Sequence, residues 1–586
     1  MKKFSQVWLP LLCFCLASGV ALAQNSYQGG GSFFPQCPTS TLWHPADKLG
    51  YDPSTTEAPS GYTGPKSVSE NANGVPLTYA LHGGAIKCQQ VSGGDGYMTE
   101  ADGNQTFMFS FGPLSGLNAI ANGQPGTQFA STFNRPYCDS ALPNYTNGQP
   151  NPNYGTSGCA NGTDPNGAVG YVAASANNSH PGADPAAIMN TGVMNGNIPA
   201  PLIAFDEDDE LFLTLTNVGM IMRPDLFEQH TIHFHGYPNA SSFYDGVPDA
   251  SLAINIGGSF TYYYLAPDAG TYFWHCHITP PEHLQMGMVG QLYVRPRQNR
   301  TPAGADLFAT VTDMQADLRT ACQGTGGGGT TKPAIGYSYA TNGNIDILCS
   351  APLPIGDMQV AQVSGQKYAY NDGDGSTAYD IDVPIQIHGF DPNFHFVGMT
   401  FNPEGFADMK DKYFLLNGRS YPDTVGVPGY QGLTPVSSSD AAGNNVLNPD
   451  PVTHAISTES SDGYSRPSQP MSTLITLSSS GAGGAPRRAL LRIADLDVTE
   501  YQTLQSLGIP MTVVGFNAKL LRDQAGNNLF IKTNSITLGG GESLDAILDA
   551  TGIPAGTYFL YTPNLDHLSN DAENFGGLMT EVVVTP

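Results

Sequence analysis

The stretch Ala269–His277 reads AGTYFWHCH, and it indicates both the fold and the chemistry of this sequence. Thr271–His275 is rich in β-branched and aromatic residues and follows a glycine, which predicts a short strand. The first five letters return as AGTYF at Ala555–Phe559. A strand motif that recurs far along one chain predicts two related β units.

Two weaker echoes support the repeat. Gly258-Ser259-Phe260 resembles Glu542-Ser543-Leu544, and Thr231–Tyr237 (TIHFHGY) aligns with Pro510–Phe516 (PMTVVGF). Only 12% of the 586 residues are charged, and glycine, proline and aromatic residues are abundant. This composition favours an all-β chain with long loops, and two Greek-key β-sandwich domains explain the repeat economically.

Changes in composition along the chain predict the domain boundaries. Glycine-, proline- and asparagine-rich stretches alternate with stretches of short strands separated by turn signals. The predicted parts are a signal peptide (1–23), an irregular N-terminal extension (24–95), a first β domain (96–296) with an insertion at about 113–195, a linker (297–376) and a second β domain (377–586).

The N-terminus is predicted to be an export signal. Lys2 and Lys3 precede the apolar stretch Val7–Ala21, and Ala21-Leu22-Ala23 offers a small-residue cleavage site. We therefore expect a periplasmic, extracellular or cell-surface protein with no membrane span. The net charge of −27 argues against nucleic acid or anionic lipid as a partner.

The cysteine count identifies one residue for metal chemistry. Removing the signal would leave seven cysteines, an odd number for an exported protein. Cys276 lies between His275 and His277, so we assign it to a metal and expect the others to form three disulfides. Six cysteines allow fifteen sets of pairings, and proximity along the chain alone suggests Cys138 with Cys159 and Cys322 with Cys349.

Three segments hold most of the candidate metal ligands. They are HTIHFHG at 230–236, WHCH at 274–277 and EHLQMGM at 282–288, and they contain six of the thirteen histidines. Because alternate residues of a strand point to the same face, His275 and His277 point one way and Cys276 points the other. Two separate metal sites are therefore predicted.

The first site combines Cys276 with His230, His283 and Met288. One thiolate, two imidazoles and a weak thioether are the ligands of a blue, or type 1, copper site. The Cys-x6-His-x4-Met spacing places three of these ligands on one loop, as in cupredoxins. Zinc is the main alternative, but a structural zinc site usually has paired cysteines and has little use for methionine.

The second site combines His233, His235, His275 and His277. On two adjacent strands these four imidazoles would converge, and the backbone through Cys276 would give electrons a short covalent path from the first site. The alternative is a set of solvent-facing histidines, which four residues beside a copper cysteine make the weaker hypothesis.

These motifs resemble the bacterial multicopper oxidases. The resemblance lies in TNVGMIMRPDL, HTIHFHG, DGVP, AGTYFWHCH and EHLQMGM, and it extends to IHGFDPNFH (387–395) and LLNGRSYPDT (415–424). It implies tandem cupredoxin domains, copper as cofactor, and one-electron oxidation of phenols, amines or metal ions with oxygen as acceptor. It also implies that His230, Cys276, His283 and Met288 hold type 1 copper. The histidines of the second site match half of a trinuclear type 2/type 3 cluster.

The second unit departs from that family pattern. By the alignment above, it has Thr512 and Val514 where the first unit has His233 and His235. It also has Tyr561, Thr562 and Pro563 in place of the His-Cys-His triplet. His567 lies in the loop that corresponds to His283, while His388, His395 and His454 are scattered and are expected to be structural.

Three outcomes for the four-histidine site follow. Two chains of a homo-oligomer can pool their half clusters across a symmetric interface, a smaller copper centre can occupy the site, or the site can be empty. The leading hypothesis is an exported multicopper oxidase. The alternatives are a cupredoxin-type electron carrier or copper-binding surface protein, and an enzyme that resembles copper nitrite reductase.

Overall fold

A computed structural model gives the fold of most of the chain. It describes residues 33–62, 69–70, 76–77, 83–99, 105–135, 166–172, 182–314, 352–399, 405–425, 438–439, 445–446 and 471–586, apart from 122, 197, 237–240, 267, 356–358, 423, 524, 573 and 575. The predicted signal peptide, the four cysteines paired above by proximity and His454 lie outside the described residues.

The first unit consists of two sheets. In the five-stranded sheet, Ile86–Thr99 is parallel to Glu210–Gly219 and antiparallel to Gln105–Pro113. Ser259–Leu265 and the short Gln128–Phe129 complete that sheet. In the four-stranded sheet, the strand order is His233–Phe234, Gly270–His275, Val289–Arg295 and Ile203–Asp206, with only the last pair parallel.

The second unit also consists of two sheets. The larger has the order Tyr413–Leu416, Ile381–Phe390, Arg488–Asp495, Ser543–Asp549, Met511–Phe516 and Lys519–Leu520, with Ile531–Thr533 paired to Met511–Phe516. The smaller has the order Ile475–Ser478, Met579–Thr585, Gly556–Tyr561, Gln502–Leu507 and Ser535–Leu538.

Helices are short and lie between strands. The α-helices are Ala46–Leu49, Leu117–Ala121, Ala130–Phe133, Pro185–Gly192, Pro280–Gln285, Leu307–Met314 and Pro392–Met399. The 3₁₀ turns are Ser242–Tyr244, Arg297–Arg300, Phe406–Asp408, Ala482–Gly484 and Leu565–Leu568. Two-residue strand pairs join Ser69–Glu70 to Pro76–Leu77, Tyr171–Val172 to Gly182–Ala183, Lys367–Tyr368 to Ala378–Tyr379 and Ser438–Ser439 to Asn445–Val446. The prediction of an all-β, cupredoxin-like chain is confirmed. Within the described part of the chain, we find no helix whose length and apolar character would let it cross a bilayer.

The strand order corrects the alignment of the two units. Gly270–His275 and Gly556–Tyr561 occupy the same place in sheets of the same order and direction. His233 pairs with His275, whereas Gln505 pairs with Tyr561. The second unit therefore has Gln505 and Leu507, not Thr512 and Val514, where the first has His233 and His235. Met511–Phe516 is an additional strand beside Ser543–Asp549, and its similar periodicity caused the wrong alignment.

The irregular N-terminal extension expected to reach residue 95 ends earlier. Ile86–Thr99 is a 14-residue strand at the centre of the first unit's larger sheet. It contains polar and glycine residues that do not alternate with apolar ones, because both of its faces are buried. One end of the buried Gln90 side chain has a partner inside the protein, where its Nε2 donates to Thr216 Oγ1 at 2.9 Å. Because buried polar residues of this kind break the alternation of polar and apolar side chains, sequence periodicity does not predict this strand.

Parts of the predicted insertion and linker are also built into the fold. The insertion contributes the helix Pro185–Gly192, whose Ile188 packs in a core cluster with Leu114. In the linker, Arg297 donates to both carboxylate oxygens of Asp208, and Gln298 Nε2 donates to Asp372 at 2.8 Å. These segments are therefore ordered where they contact the sandwiches.

Three large apolar clusters lie within and between the two units. One fills the first sandwich and includes Cys276, and a second fills the second sandwich. A third joins the units along a seam, where Phe273, Leu284 and Val289 pack with Phe390 and Leu496. A disulfide between Cys37 and Cys88 ties the N-terminal segment to the central strand.

A buried carboxylate on that central strand predicts a pH-dependent stability. Asp95 is fully buried, and its Oδ2 accepts the Met222 N–H at 2.6 Å while Oδ1 has no partner within the described structure. Burial raises the pKa of Asp95 to about 6, although backbone N–H groups partly oppose it. The unfolded carboxyl ionises near its ordinary pKa of about 4.

The folded state therefore binds more protons than the unfolded state between about pH 4 and pH 6, and stability falls as the pH rises through that window. Asp95 should lower the free energy of unfolding of the wild-type protein by roughly 2 to 3 kcal/mol across this window, and Asp95→Asn should abolish that loss. Urea unfolding of both proteins from pH 4 to pH 7 measures the effect. Parallel stability profiles for the two proteins would contradict this assignment.

Candidate copper centre

Both predicted sites form around the end of one strand. Gly270–His275 ends where Cys276 begins the following loop, and its last residue pairs with His233 across the antiparallel ladder. His275 and Cys276 extend to opposite sides of the strand, as alternation requires. The structure therefore brings together two ligand groups that share one segment of backbone.

The first group consists of three buried side chains. The ligand atoms of His230, Cys276 and His283 all lie within 4.8 Å of one another. Cys276 Sγ lies 3.2 Å from His283 Nδ1, and Cys276 is the free cysteine of the described part of the chain. These distances suit a shared metal ion bound by one thiolate and two imidazoles.

Two backbone hydrogen bonds fold the loop that carries the remaining predicted ligand. The Cys276 N–H donates to the Met288 carbonyl at 3.0 Å, and the Met288 N–H donates to the His283 carbonyl at 2.8 Å. Met288 is fully buried in the same apolar cluster as Cys276. The loop is therefore closed on itself by its own backbone.

The side chain of His230 is buried without a hydrogen-bond partner among the described residues. Its ring is fully buried, and neither ring nitrogen has a hydrogen-bond partner among the described residues. Burial, helped by the nearby His283, holds the pKa of His230 well below its ordinary value. A neutral imidazole with an unshared electron pair in an apolar site is well suited to bind a metal.

Glycine makes room for that ring. A Cβ on Gly93 would lie 2.6 Å from His230 Cδ2, closer than packed atoms allow. Gly93 belongs to the central strand Ile86–Thr99, which passes directly behind the site. A side chain at this position would displace the imidazole.

His283 has a carboxylate neighbour. Glu228 Oε2 lies 3.4 Å from His283 Nε2, the nitrogen opposite the one that faces Cys276. Burial disfavours the charged ring, but the Cys276 sulfur and Glu228 outweigh this and raise the pKa of His283 to about 10. The thiol group and the carboxylate together make this position attractive to positive charge.

The second group contains all four predicted histidines. Ligand atoms of His233, His275 and His277 lie within 4.8 Å of one another. His235 joins them, because its Nε2 lies 2.9 Å from His275 Nε2. Burial is the largest cause that lowers the pKa of His233, His235 and His275, in the case of His235 to about 4. Neutral rings with facing nitrogens are suited to bind metal.

Backbone carbonyls orient several of these rings. His233 Nδ1 lies 2.6 Å from the Asp245 carbonyl, and His275 Nδ1 lies 2.6 Å from the Cys276 carbonyl. His235 has the Gly541 backbone of the second unit as a partner. A hydrogen bond at Nδ1 fixes the tautomer that leaves Nε2 free for a metal.

The described histidines of the second unit do not join this group. His388 Nε2 lies 3.1 Å from the Leu284 carbonyl, and His395 Nε2 lies 3.0 Å from the Gln285 carbonyl. Both therefore contact the loop of the first site. Seven residues apart on one strand they would face oppositely, but the strand ends at Phe390 and His395 lies on the helix Pro392–Met399.

The second unit repeats two backbone bonds of the first unit's ligand loop without its two sulfur ligands. The Thr562 N–H donates to Leu578, and the Leu578 N–H donates to His567, in the pattern of Cys276, Met288 and His283. His567 Nε2 lies 2.8 Å from Glu500, as His283 lies beside Glu228. Threonine and leucine replace the two sulfur ligands, so we find no second blue site there.

Sequence reasoning missed the residues that support the ligands. Gly93 and the carbonyl groups that face the histidine Nδ1 atoms act through the backbone, so no side chain in the sequence indicates their role. Glu228 offered a signal, because it lies two residues before His230 in the same segment. Glu282, the residue before His283, is buried on the short helix Pro280–Gln285.

Known proteins resemble this region. The sequence profile described as multicopper oxidase matches residues 180–299. Laccase abr2 of Aspergillus fumigatus is 34% identical over 128 residues, which are 22% of this chain and 20% of that protein. Multicopper oxidase MCE of Talaromyces pinophilus is 34% identical over 108 residues, 18% of this chain and 16% of that protein. The chain thus spans about a fifth of the length of these curated relatives.

Solved structures overlap more of the chain at lower identity. The blue copper oxidase of Nitrosomonas europaea covers 85% of both chains with 15% identity and a TM-score of 0.42. The laccase of Botrytis aclada covers 85% of this chain and 52% of its own, with 14% identity and a TM-score of 0.37. The strand order described above, not these overlaps, defines the fold.

The fold and the ligand groups define a class of copper proteins built from β-sandwiches. Residues 180–299, which contain both groups, match the sequence profile of the multicopper oxidases, and copper is the cofactor of that family. The curated relatives named here are fungal, so they do not support the expected likeness to bacterial oxidases in particular.

The close approach of Gly93 and His230 predicts a sensitive position. We expect Gly93→Ala to lower stability by about 1 to 3 kcal/mol, because an added methyl overpacks the site, and to weaken copper binding at His230. Gly556→Ala is the control, since the nearest atom to its added Cβ is 3.9 Å away. Copper titration and thermal unfolding measure both effects. Equal copper affinity in the two variants would refute the role of Gly93.

Proposed function

We propose that this protein is a copper oxidase that takes single electrons from a small donor. In this proposal, His230, Cys276, His283 and Met288 hold type 1 copper, and His233, His235, His275 and His277 hold further copper. The observation that carries it is the buried His230–Cys276–His283 group, in which the His230 ring nitrogens lack protein partners. Bound copper would supply reversible one-electron redox chemistry.

Donor electrons are proposed to arrive at His283. The ring is fully buried, but its Nε2 faces Glu228, whose side chain is partly exposed. Glu228 can orient a donor and accept the proton that a phenol or an amine releases on oxidation. The adjacent Phe227 is 84% exposed and offers an apolar surface to an aromatic ring.

The two sites are proposed to exchange electrons through the strand end. Cys276 belongs to the first site, and its peptide neighbours His275 and His277 belong to the second. The hydrogen bond of His275 to the Cys276 carbonyl adds a second contact along this path. The family uses oxygen as the acceptor, and we propose the same acceptor here.

A second candidate is an electron carrier or copper-binding surface protein. It is favoured by the second unit, which offers no histidine to the four-histidine group among the described residues. The three-histidine set His233, His275 and His277 also permits a single copper, as in the nitrite reductase hypothesis. Pooling of half clusters by two chains of a homo-oligomer would instead favour the oxidase.

Copper stoichiometry separates these candidates. For the oxidase we expect more than one copper per chain, an oligomer if two half clusters combine, and oxygen uptake with a phenolic donor. Metal analysis, electron paramagnetic resonance and an oxygen electrode measure these. One blue copper per chain without oxygen uptake would reject the oxidase in favour of the carrier.

The type 1 assignment is tested separately. We expect Cys276→Ser to abolish the intense visible charge-transfer band, since that band requires a thiolate ligand. The substitution should leave the far-ultraviolet circular dichroism unchanged. Blue colour that survives in the variant would show that Cys276 is not the ligand.

We also propose that the protein works outside the cytoplasm. The sequence pattern at residues 1–23 supports export, and the Cys37–Cys88 disulfide suits an oxidising compartment.

A further inference from the structure

The second unit keeps no copper-ligand set of its own among its described residues, yet it contacts the copper-ligand loop of the first unit at several points. That loop runs from His283 to Met288, and the two residues that follow His283, Leu284 and Gln285, are the ones contacted. Leu284 is 8% exposed and Gln285 is fully buried, so the contacts are shielded from water.

The first contact comes from His388. Its Nε2–H donates to the Leu284 carbonyl at 3.1 Å, and its Nδ1 has no partner among the described residues. Burial lowers the pKa of His388, so the ring is neutral and has a single N–H. That single donor is used on the residue directly after the copper ligand His283.

The second contact holds both ends of the Gln285 side chain. The Asp391 backbone N–H donates to Gln285 Oε1 at 2.8 Å, and Gln285 Nε2 donates to Asp411 Oδ1 at 3.1 Å. A buried amide held at both ends has one orientation. Gln285 is therefore fixed by two separate segments of the second unit.

The third contact comes from His395. Its Nε2 lies 3.0 Å from the Gln285 carbonyl, and its Nδ1 lies 2.5 Å from the Phe107 carbonyl. A neutral ring has one N–H and donates to one of these carbonyls at a time. In either state His395 lies between the ligand loop and the strand Gln105–Pro113 of the larger sheet.

We infer that the second unit is a clamp that positions the type 1 copper ligands of the first unit, with His388 and Gln285 as its positioning residues. This inference rests on the proposed copper site. The physical reason is that Leu284 and Gln285 end a helix of only six residues. Its own backbone bonds are local, since the N–H groups of Met286, Gly287 and Met288 donate to the carbonyls of Glu282, Leu284 and His283. A helix this short is marginal by itself and leaves its last residues freedom to shift. Buried bonds from a rigid sandwich remove that freedom, and preorganised ligands bind metal more tightly.

The test compares His388→Leu and Gln285→Leu, which remove the donors, with His388→Gln, whose amide can replace Nε2–H. His567→Leu is the matched control, because His567 is also a buried histidine of the second unit and its side-chain partner is Glu500, which is not part of the loop. After reduction, a Cu(I) chelator should remove type 1 copper about tenfold faster from the two clamp variants than from wild type. His388→Gln and His567→Leu should behave like wild type.

Amide hydrogen exchange of the copper-free proteins gives a readout that needs no metal. We expect the peptide covering residues 280–288 to exchange about tenfold faster in both clamp variants and at the wild-type rate in His567→Leu. Unchanged exchange and unchanged chelation in the clamp variants would overturn the clamp. A wild-type protein that is not blue would reject the proposed copper site instead, and the exchange result would still decide whether the clamp exists.

Discussion

The alternation of a β-strand is the constraint on which both candidate sites depend. Consecutive residues of a strand point to opposite sides, so His275 and Cys276 cannot contribute to the same small site. The ladder pair of His275 with His233 adds histidines on one side. The backbone bond from Cys276 to Met288 brings the ligand loop to the other side. Two groups of candidate metal ligands therefore form at the end of one strand.

The second unit shows that this geometry belongs to the fold and does not require the metal. It repeats the bonds from Thr562 to Leu578 and from Leu578 to His567, and it repeats a carboxylate beside the loop histidine. The two loops differ in length and in their side chains, yet both are closed by the same pair of backbone bonds. A carboxylate beside the histidine in both units also means that Glu228 is part of the repeated architecture. Its proposed role toward a donor therefore uses a pair that the fold already provides.

The two groups of candidate ligands were predictable from sequence because their members are local. Each candidate lies within one of three short segments, and strand periodicity sorts them into two groups without any long-range information. The alignment at Met511–Phe516 failed because the sequence pattern of a strand does not specify its position in the sheet. Gln502–Leu507 has the same periodicity and occupies the equivalent position. The strand Ile86–Thr99 was missed because its buried polar residues interrupt the alternation of polar and apolar side chains. Contacts such as His388 with Leu284 link distant parts of the chain, and no local pattern encodes them.

The seam between the units explains why a sandwich without copper ligands would be retained. A loop that binds metal must keep its ligands at fixed separations, but loops gain little rigidity from their own few hydrogen bonds. Here the rigidity comes from a neighbouring sandwich whose apolar core does not depend on metal. The seam residues Phe273, Leu284 and Phe390 exclude water from the same contacts, which strengthens each buried hydrogen bond. Loss of the second unit's own ligands would leave this mechanical contribution intact, because the clamp uses other residues of that unit.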